Sequence, residues 1–254
     1  MHILITNDDG VQAPGLLALA QEMRKLGKVS VLAPDKNWSA SGHVKTMHRP
    51  LRVESTRLAD GTPALMTDGA PSDCVALALL GLVKDVDLVV SGINPYANIG
   101  DDVTYSGTVT AAMEAAIANI PGIAVSLHTT SNFHGERNYG PAARFAARVA
   151  EKVIQNGLPP RLTLSVNVPH LPEDEIKGVQ ITRQGVRIYR DELIIRTDPK
   201  GKNYYWIGGE YPTAAMDEHS DYHAIENGYV SITPIQLDLT DYKAIPALEK
   251  WTWE

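Results

Sequence analysis

Residues 2–10 read His-Ile-Leu-Ile-Thr-Asn-Asp-Asp-Gly, and this stretch decides the fold. The run from His2 to Thr6 is apolar and rich in β-branched residues, the pattern of a short strand buried on both faces. It ends abruptly at Asn7, Asp8, Asp9 and Gly10. Two neighbouring carboxylates at the end of a buried strand repel each other, and neither tolerates burial without a partner. A divalent cation between them is the simplest remedy. Side chains alternate faces along a strand, so Asp8 and Asp9 converge only if the backbone turns there, and Gly10 permits that turn. The bland reading is a strand-end turn with Asp as a helix cap; it accounts for one carboxylate and not for two.

The rest of the first 180 residues alternates strand and helix patterns. Pro14–Leu26 carries apolar residues at helical spacing and ends at Gly27. Val29–Ala33 is the next strand, followed by a polar loop, Asp35–His43. Leu51–Val53 and Ala64–Met66 are short strands around the turn Asp60-Gly61-Thr62-Pro63. Ser72–Val83 is a helix, Asp87–Ser91 a strand, Gly107–Asn119 an alanine-rich helix, Ile123–Leu127 a strand, Pro141–Gln155 a helix and Thr163–Val168 a strand. Alternation of this kind predicts an α/β fold with a doubly wound, mostly parallel sheet and helices on both faces. In such sheets ligands bind outside the carboxyl ends of the strands.

The character changes after residue 180, giving a core over 1–180 and a β-rich extension over 181–254. Val179–Thr182, Val186–Arg196 and Asn203–Ile207 read as strands, with a turn at Asp198-Pro199-Lys200-Gly201. Aromatics concentrate here: Tyr189, Tyr204, Tyr205, Trp206 and Tyr211. Either this hairpin is an arm that packs on another subunit or it covers its own core; aromatics are enriched in both settings. Ser220–Gly228 reads as a short capped helix and Tyr229–Pro234 as a last strand.

Composition excludes several classes. The 254 residues carry a formal net charge of −7, and no basic block marks a nucleic-acid footprint. A single cysteine, Cys74, rules out an internal disulfide and fits a reducing compartment; in its apolar helical context it reads as a small buried hydrophobe. The N-terminal run lacks the basic start of a signal peptide, and no apolar stretch is long enough to span a membrane, so a cytoplasmic location is expected.

Three further segments sit at strand ends or a helix start. Ser39-Ala40-Ser41-Gly42 offers small hydroxylic residues that allow close approach of backbone to a ligand. Ser91-Gly92-Ile93-Asn94 ends a buried strand, and Asn94 supplies a neutral oxygen of the type Mg²⁺ or Ca²⁺ accepts. The absence of Cys and His from these segments argues for a hard cation over zinc. Tyr105-Ser106-Gly107-Thr108 opens a helix: Ser106 is an N-cap, and the free amides beyond it form an anion site. Alone, each has an ordinary reading as a loop, a strand end or a cap. Asp101-Asp102 reads as turn or cap chemistry, and His219 and His223 need not share a face once Ser220 is the cap.

Taken together, these segments resemble the SurE (survival protein E) family of metal-dependent nucleotidases. The resemblance rests on Ile-Leu-Ile-Thr-Asn-Asp-Asp-Gly (3–10), Ala-Pro-Asp (33–35) with Ser39, Ser-Gly-Ile-Asn (91–94), Asp-Asp-Val-Thr-Tyr-Ser-Gly-Thr-Val (101–109) and Gly-Tyr-Val-Ser-Ile-Thr-Pro (228–234), in order along nearly the whole chain. It implies a Rossmann-like core, a C-terminal extension used in a homodimer or homotetramer, and hydrolysis of nucleoside 5′- or 3′-monophosphates by a metal-activated water. It also implies one Mg²⁺ or Mn²⁺ per subunit held by Asp8, Asp9, Ser39 and Asn94, with Asn37, Ser106, Gly107 and Thr108 near the phosphate. Asp8 or Asp9 would orient or deprotonate the water. Expected partners are nucleoside monophosphates, with short polyphosphate a further candidate, and neither duplex nucleic acid nor membrane. One departure stands out. The family usually has Gly two residues after Ser-Gly-Ile-Asn; here Pro95-Tyr96 precedes Ala97-Asn98, and the ring of Tyr96 is expected to reshape the pocket. Alternatives are a phosphatase with an aspartyl nucleophile, which usually carries Asp-x-Asp, a non-catalytic nucleotide-binding module, and a structural oligomer.

Overall fold

The computed structural model describes residues 1–130 and 133–253. A nine-stranded sheet runs through it. Its strands are β1 (His2–Thr6), β2 (Lys28–Pro34), β3 (Val53–Arg57), β4 (Pro63–Thr67), β5 (Leu88–Asn94), β6 (Gly122–His128), β7 (Leu162–Pro169), β8 (Val179–Ile181) and β13 (Val230–Gln236). Their spatial order is β3-β4-β2-β1-β5-β6-β7-β13-β8. From β4 to β7 every neighbouring pair is parallel, while β3 and β13 run antiparallel to β4 and β7. The chain steps from β1 outward to β2, then returns to β5 on the other side of β1. That reversal opens a crevice at the carboxyl ends of β1 and β5.

Two helix layers cover the sheet. Helices α1 (Pro14–Met23) and α4 (Gly140–Asn156) pack over Ile3, Ile5, Val90 and Val125 on one face. Helices α2 (Pro71–Leu77) and α3 (Gly107–Ile117) pack over Leu4, Leu32 and Val89 on the other. Alternation along β1 thus divides one apolar run between two cores, as a strand buried on both faces requires.

Several boundaries differ from the sequence reading. Helix α1 stops at Met23, and residues 24–26 continue as tight turns, with Lys25 N donating to Glu22 O and Leu26 N to Met23 O. The helix expected over Ser72–Val83 divides: α2 ends at Leu77, and a wider turn over Ala78–Leu82 contains Gly81 at φ 138°. The strand expected over Val186–Arg196 also divides, into β9 (Arg187–Ile188) and β10 (Asp191–Thr197). β9 pairs with β12 (Thr213–Ala214), whereas β10 forms a separate antiparallel hairpin with β11 (Asn203–Gly209). After α5 (Asp221–Glu226), β13 inserts between β7 and β8. The segment after residue 180 is therefore not one continuous extension; its last strand belongs to the core sheet. Helix α6 (Ile245–Leu248) lies in the exposed tail. Among the described residues no helix is long and apolar enough to cross a membrane.

Packing of α1 against the crevice is close. A Cβ added at Gly15 would lie 2.2 Å from the Ile93 carbonyl oxygen and 3.1 Å from the Tyr139 ring. Gly15→Ala is expected to cost at least ~1–3 kcal/mol, the range for an overpacked core. Urea denaturation would register the loss, and an unchanged midpoint would contradict this packing.

Candidate metal and anion site

The acid pair sits where β1 opens into the crevice. Asp8 is 3% exposed, and Thr108 Oγ1 donates to its Oδ1. The Asp8 carbonyl accepts from Trp38 N at 2.7 Å, which ties the loop after β2 to the end of β1. Gly10, at φ 102°, makes the turn, and its carbonyl accepts from Asn7 Nδ2 at 2.9 Å. A Cβ at Gly107 would lie 2.8 Å from Asp8 Cβ and 3.1 Å from Pro71 Cγ. Helix α3 can therefore begin against the carboxylate only because residue 107 lacks a side chain.

Asn37, Ser39 and Asp9 form one chain of contacts. Ser39 N donates to Asn37 Oδ1 at 2.7 Å, and Asn37 Nδ2 reaches Asp9 Oδ1 at 3.4 Å. Asn94 is the last residue of β5, the strand paired with β1. Its Nδ2 donates to the Tyr96 carbonyl at 2.6 Å, which leaves the side-chain oxygen as the atom for a cation. Ser106 caps α3 by accepting from Val109 N at 3.1 Å. The structure adjusts one expectation. The Thr108 hydroxyl is committed to Asp8, and the Gly107 and Thr108 amides face the same carboxylate, so the charge at this helix end is already Asp8 itself.

The electrostatics follow from that burial. Desolvation raises the Asp8 pKa, opposed by the Thr108 hydroxyl and the α3 amides. Asp9 is pushed up to about 7, chiefly by burial and then by the Asp8 charge, with Arg137 opposing. Asp9 Oδ2 and Asn7 Oδ1 are buried without a hydrogen-bond partner. Unpaired buried oxygens beside two carboxylates fit a hard cation well. Among the described residues no group of three or more His, Cys, Asp and Glu side chains could hold a metal, so the fit depends on neutral oxygens joining the acid pair.

Two features lay outside the sequence reading. Arg137, in the loop after β6, donates from Nε to the Pro95 carbonyl at 3.1 Å. Its one sequence signal was position: that loop follows a parallel strand and so opens at the same end as the acids. The pair Asp101-Asp102 proved to be a long-range anchor. Asp102 pairs with Arg187 Nε at 2.7 Å and accepts from Tyr189 Oη at 2.6 Å, while Asp101 accepts from Arg187 N at 3.0 Å. His219 lies outside α5 at φ 76°, as the Ser220 cap required.

With this geometry in place, comparison with known proteins is direct. The family model described as Survival protein SurE matches residues 3–191. This chain belongs to the SurE family. The curated relative "5'-nucleotidase SurE" from Chloroflexus aggregans is 47% identical over 255 residues, covering 100% of both chains. The protein of the same name from Geobacter sulfurreducens is 50% identical over 252 residues, covering 99% of this chain and 94% of its own. The crystal structure of the SurE protein from Aquifex aeolicus superposes with a TM-score of 0.81 at 39% identity, covering 98% of each chain.

Raised carboxyl pKa values make a stability prediction. A raised Asp pKa means the folded state favours the protonated form, so that contribution is present at low pH and is lost as pH rises from about 4 to about 7. In chelator, the melting temperature is expected to fall across this window, by ~2–4 °C for each kcal/mol lost. Asp9→Asn is expected to flatten the fall, and saturating Mn²⁺ to reverse it at pH 8. A chelator-treated protein whose melting temperature rises from pH 5 to pH 8 would contradict the assignment.

Proposed function

We propose that this chain is a divalent-metal-dependent phosphomonoesterase that hydrolyses nucleoside 5′-monophosphates, with 3′-monophosphates as a second class, to nucleoside and phosphate. The relatives' name, 5'-nucleotidase, supports the substrate class. The observation that carries the reading is buried Asp8 against the N-terminus of α3 beside half-buried Asp9, one of whose carboxylate oxygens is left unpartnered.

Asp8, Asp9, Ser39 and Asn94 would hold one Mg²⁺ or Mn²⁺. A cation held there supplies Lewis acidity toward a phosphoryl oxygen and acidifies water. The chain's own groups do the rest. Thr108 and the α3 amides fix Asp8, so its carboxylate does not reorganise during reaction. Asn37 Nδ2, whose 3.4 Å contact with Asp9 is long, is a donor for a phosphate oxygen. The start of α3 acts on the reaction through Asp8, because its Gly107 and Thr108 amides already hold that carboxylate and the Ser106 amide donates to the Asp102 carbonyl. Asp9, with its free Oδ2, is the better-placed carboxylate to orient the attacking water.

The β10–β11 hairpin serves assembly in this reading. Its apolar side chains are exposed on both faces: Leu193, Ile195, Tyr205, Trp206 and Ile207 are each at least half exposed. A lone two-stranded sheet of this kind has little stability in water. A homodimer or homotetramer that covers it is the arrangement this surface fits.

Phosphate release from a panel of nucleotides and short polyphosphate, with Mg²⁺, Mn²⁺ or chelator, tests the activity. Hydrolysis of monophosphates that stops in chelator is expected, and Asp8→Asn should lower kcat at least ~100-fold with the fold intact. Full activity of Asp8→Asn with added metal would overturn the assignment. Trp206→Ala combined with Ile207→Asp is expected to shift the protein toward monomer in light scattering; an unchanged mass would remove the hairpin from the interface.

A further inference from the structure

Arg137 is built into the rim of the crevice in a way that surface packing alone does not require. Its Nε donates to the Pro95 carbonyl at 3.1 Å, and its guanidinium lies 4.7 Å over the Tyr96 ring and 5.9 Å from that of Phe133. Pro95 and Tyr96 directly follow Asn94, whose amide nitrogen grips the Tyr96 carbonyl from within. The backbone of 94–96 is thus clasped by Asn94 on one side and Arg137 on the other. Among the described residues, the arginines in ion pairs are Arg24, Arg49, Arg144, Arg148, Arg183, Arg187 and Arg190; Arg137 is not one of them. Stacking and one Nε bond leave the two terminal nitrogens for another acceptor. A guanidinium edge matches two oxygens of a phosphate.

Charge balance gives this edge a purpose. A divalent cation neutralises Asp8 and Asp9 and nothing more. A phosphate monoester then brings up to two further negative charges into a protein of formal net charge −7. A permanent cation at the rim answers that charge.

We propose that Arg137 is a substrate-binding residue that grips the phosphoryl oxygens, and that Tyr96 is the positioning residue that holds its guanidinium at the rim. The proposal rests on the phosphomonoesterase reading for its substrate, and deepens it. It also gives the ring at position 96 a role where a glycine would offer no platform.

The test measures inorganic phosphate binding by calorimetry in Mn²⁺, alongside KM and kcat for a nucleoside monophosphate. Arg137→Met is expected to weaken phosphate binding and raise KM roughly 10- to 100-fold, with Mn²⁺ affinity and melting temperature unchanged. Arg137→Lys should recover part of the loss. Tyr96→Ala is expected to weaken phosphate binding about threefold to tenfold, and Tyr96→Phe, which keeps the ring, to restore most of it. Phosphate affinity of Arg137→Met within twofold of wild type would overturn the proposal, as would a wild-type protein that binds no phosphate. A wild type that binds phosphate through Arg137 yet releases none from nucleotides would sink the phosphomonoesterase reading alone.

Discussion

Everything at the working end of this molecule depends on one costly arrangement, two adjacent carboxylates held in a low-dielectric crevice. Asp8 is buried, and Asp9 is drawn up to about 7 by desolvation and by its neighbour. Among the described residues no lysine or arginine forms an ion pair with either carboxylate, and the Arg137 charge opposes the rise at Asp9 only in part. The fold directs hydroxyl and amide hydrogens at Asp8 from α3 and leaves one oxygen of Asp9 unpartnered. Carboxylates held in this way cost folding stability, and such costs cluster at functional sites.

The sheet explains why so many segments can meet there. β1 and β5 lie side by side but are far apart in sequence, and the reversal of strand order at β1 leaves their carboxyl ends uncovered. The loop after β2 is pinned to Asp8 through Trp38, and it is further tied to α2 and α3, where Thr46 donates to Asp73 and Lys45 and His43 pair with Glu114. Gly15 and Gly107 let α1 and α3 approach to distances that any side chain would prevent. Asp8 and Asn94 are thus held by β1, β5 and α3, and the loop after β2 that carries Asn37 and Ser39 is tethered to them, which lowers the reorganisation demanded by a reaction there.

Much of this was legible in the sequence because buried parallel strands are short apolar runs, and their ends are marked by Gly, Pro, Asn and Asp. The acid pair, Ser39, Asn94 and the start of α3 stand out as candidates in that way. What the sequence concealed was long-range. Asp101 and Asp102 looked like local turn residues, yet they hold Arg187 and Tyr189. The expected strand over 186–196 breaks because β9 finds its partner in β12, on the far side of the hairpin. Gly81 sits inside an apolar helical pattern, and only its positive φ shows that the helix cannot continue. Arg137 lies in a polar loop without periodicity; nothing but the closure of that loop onto Pro95 brings it to the rim.

The central claim is that the acid pair is half of a cation site completed by neutral oxygens from two other strand ends. A crystal soaked in Mn²⁺ and measured for anomalous scattering addresses it most directly. The account predicts one strong peak per subunit, ligated by Asp8 and Asp9 carboxylate oxygens, the Ser39 hydroxyl and the Asn94 side-chain oxygen. No peak at the end of β1, or a peak held by other residues, would contradict it.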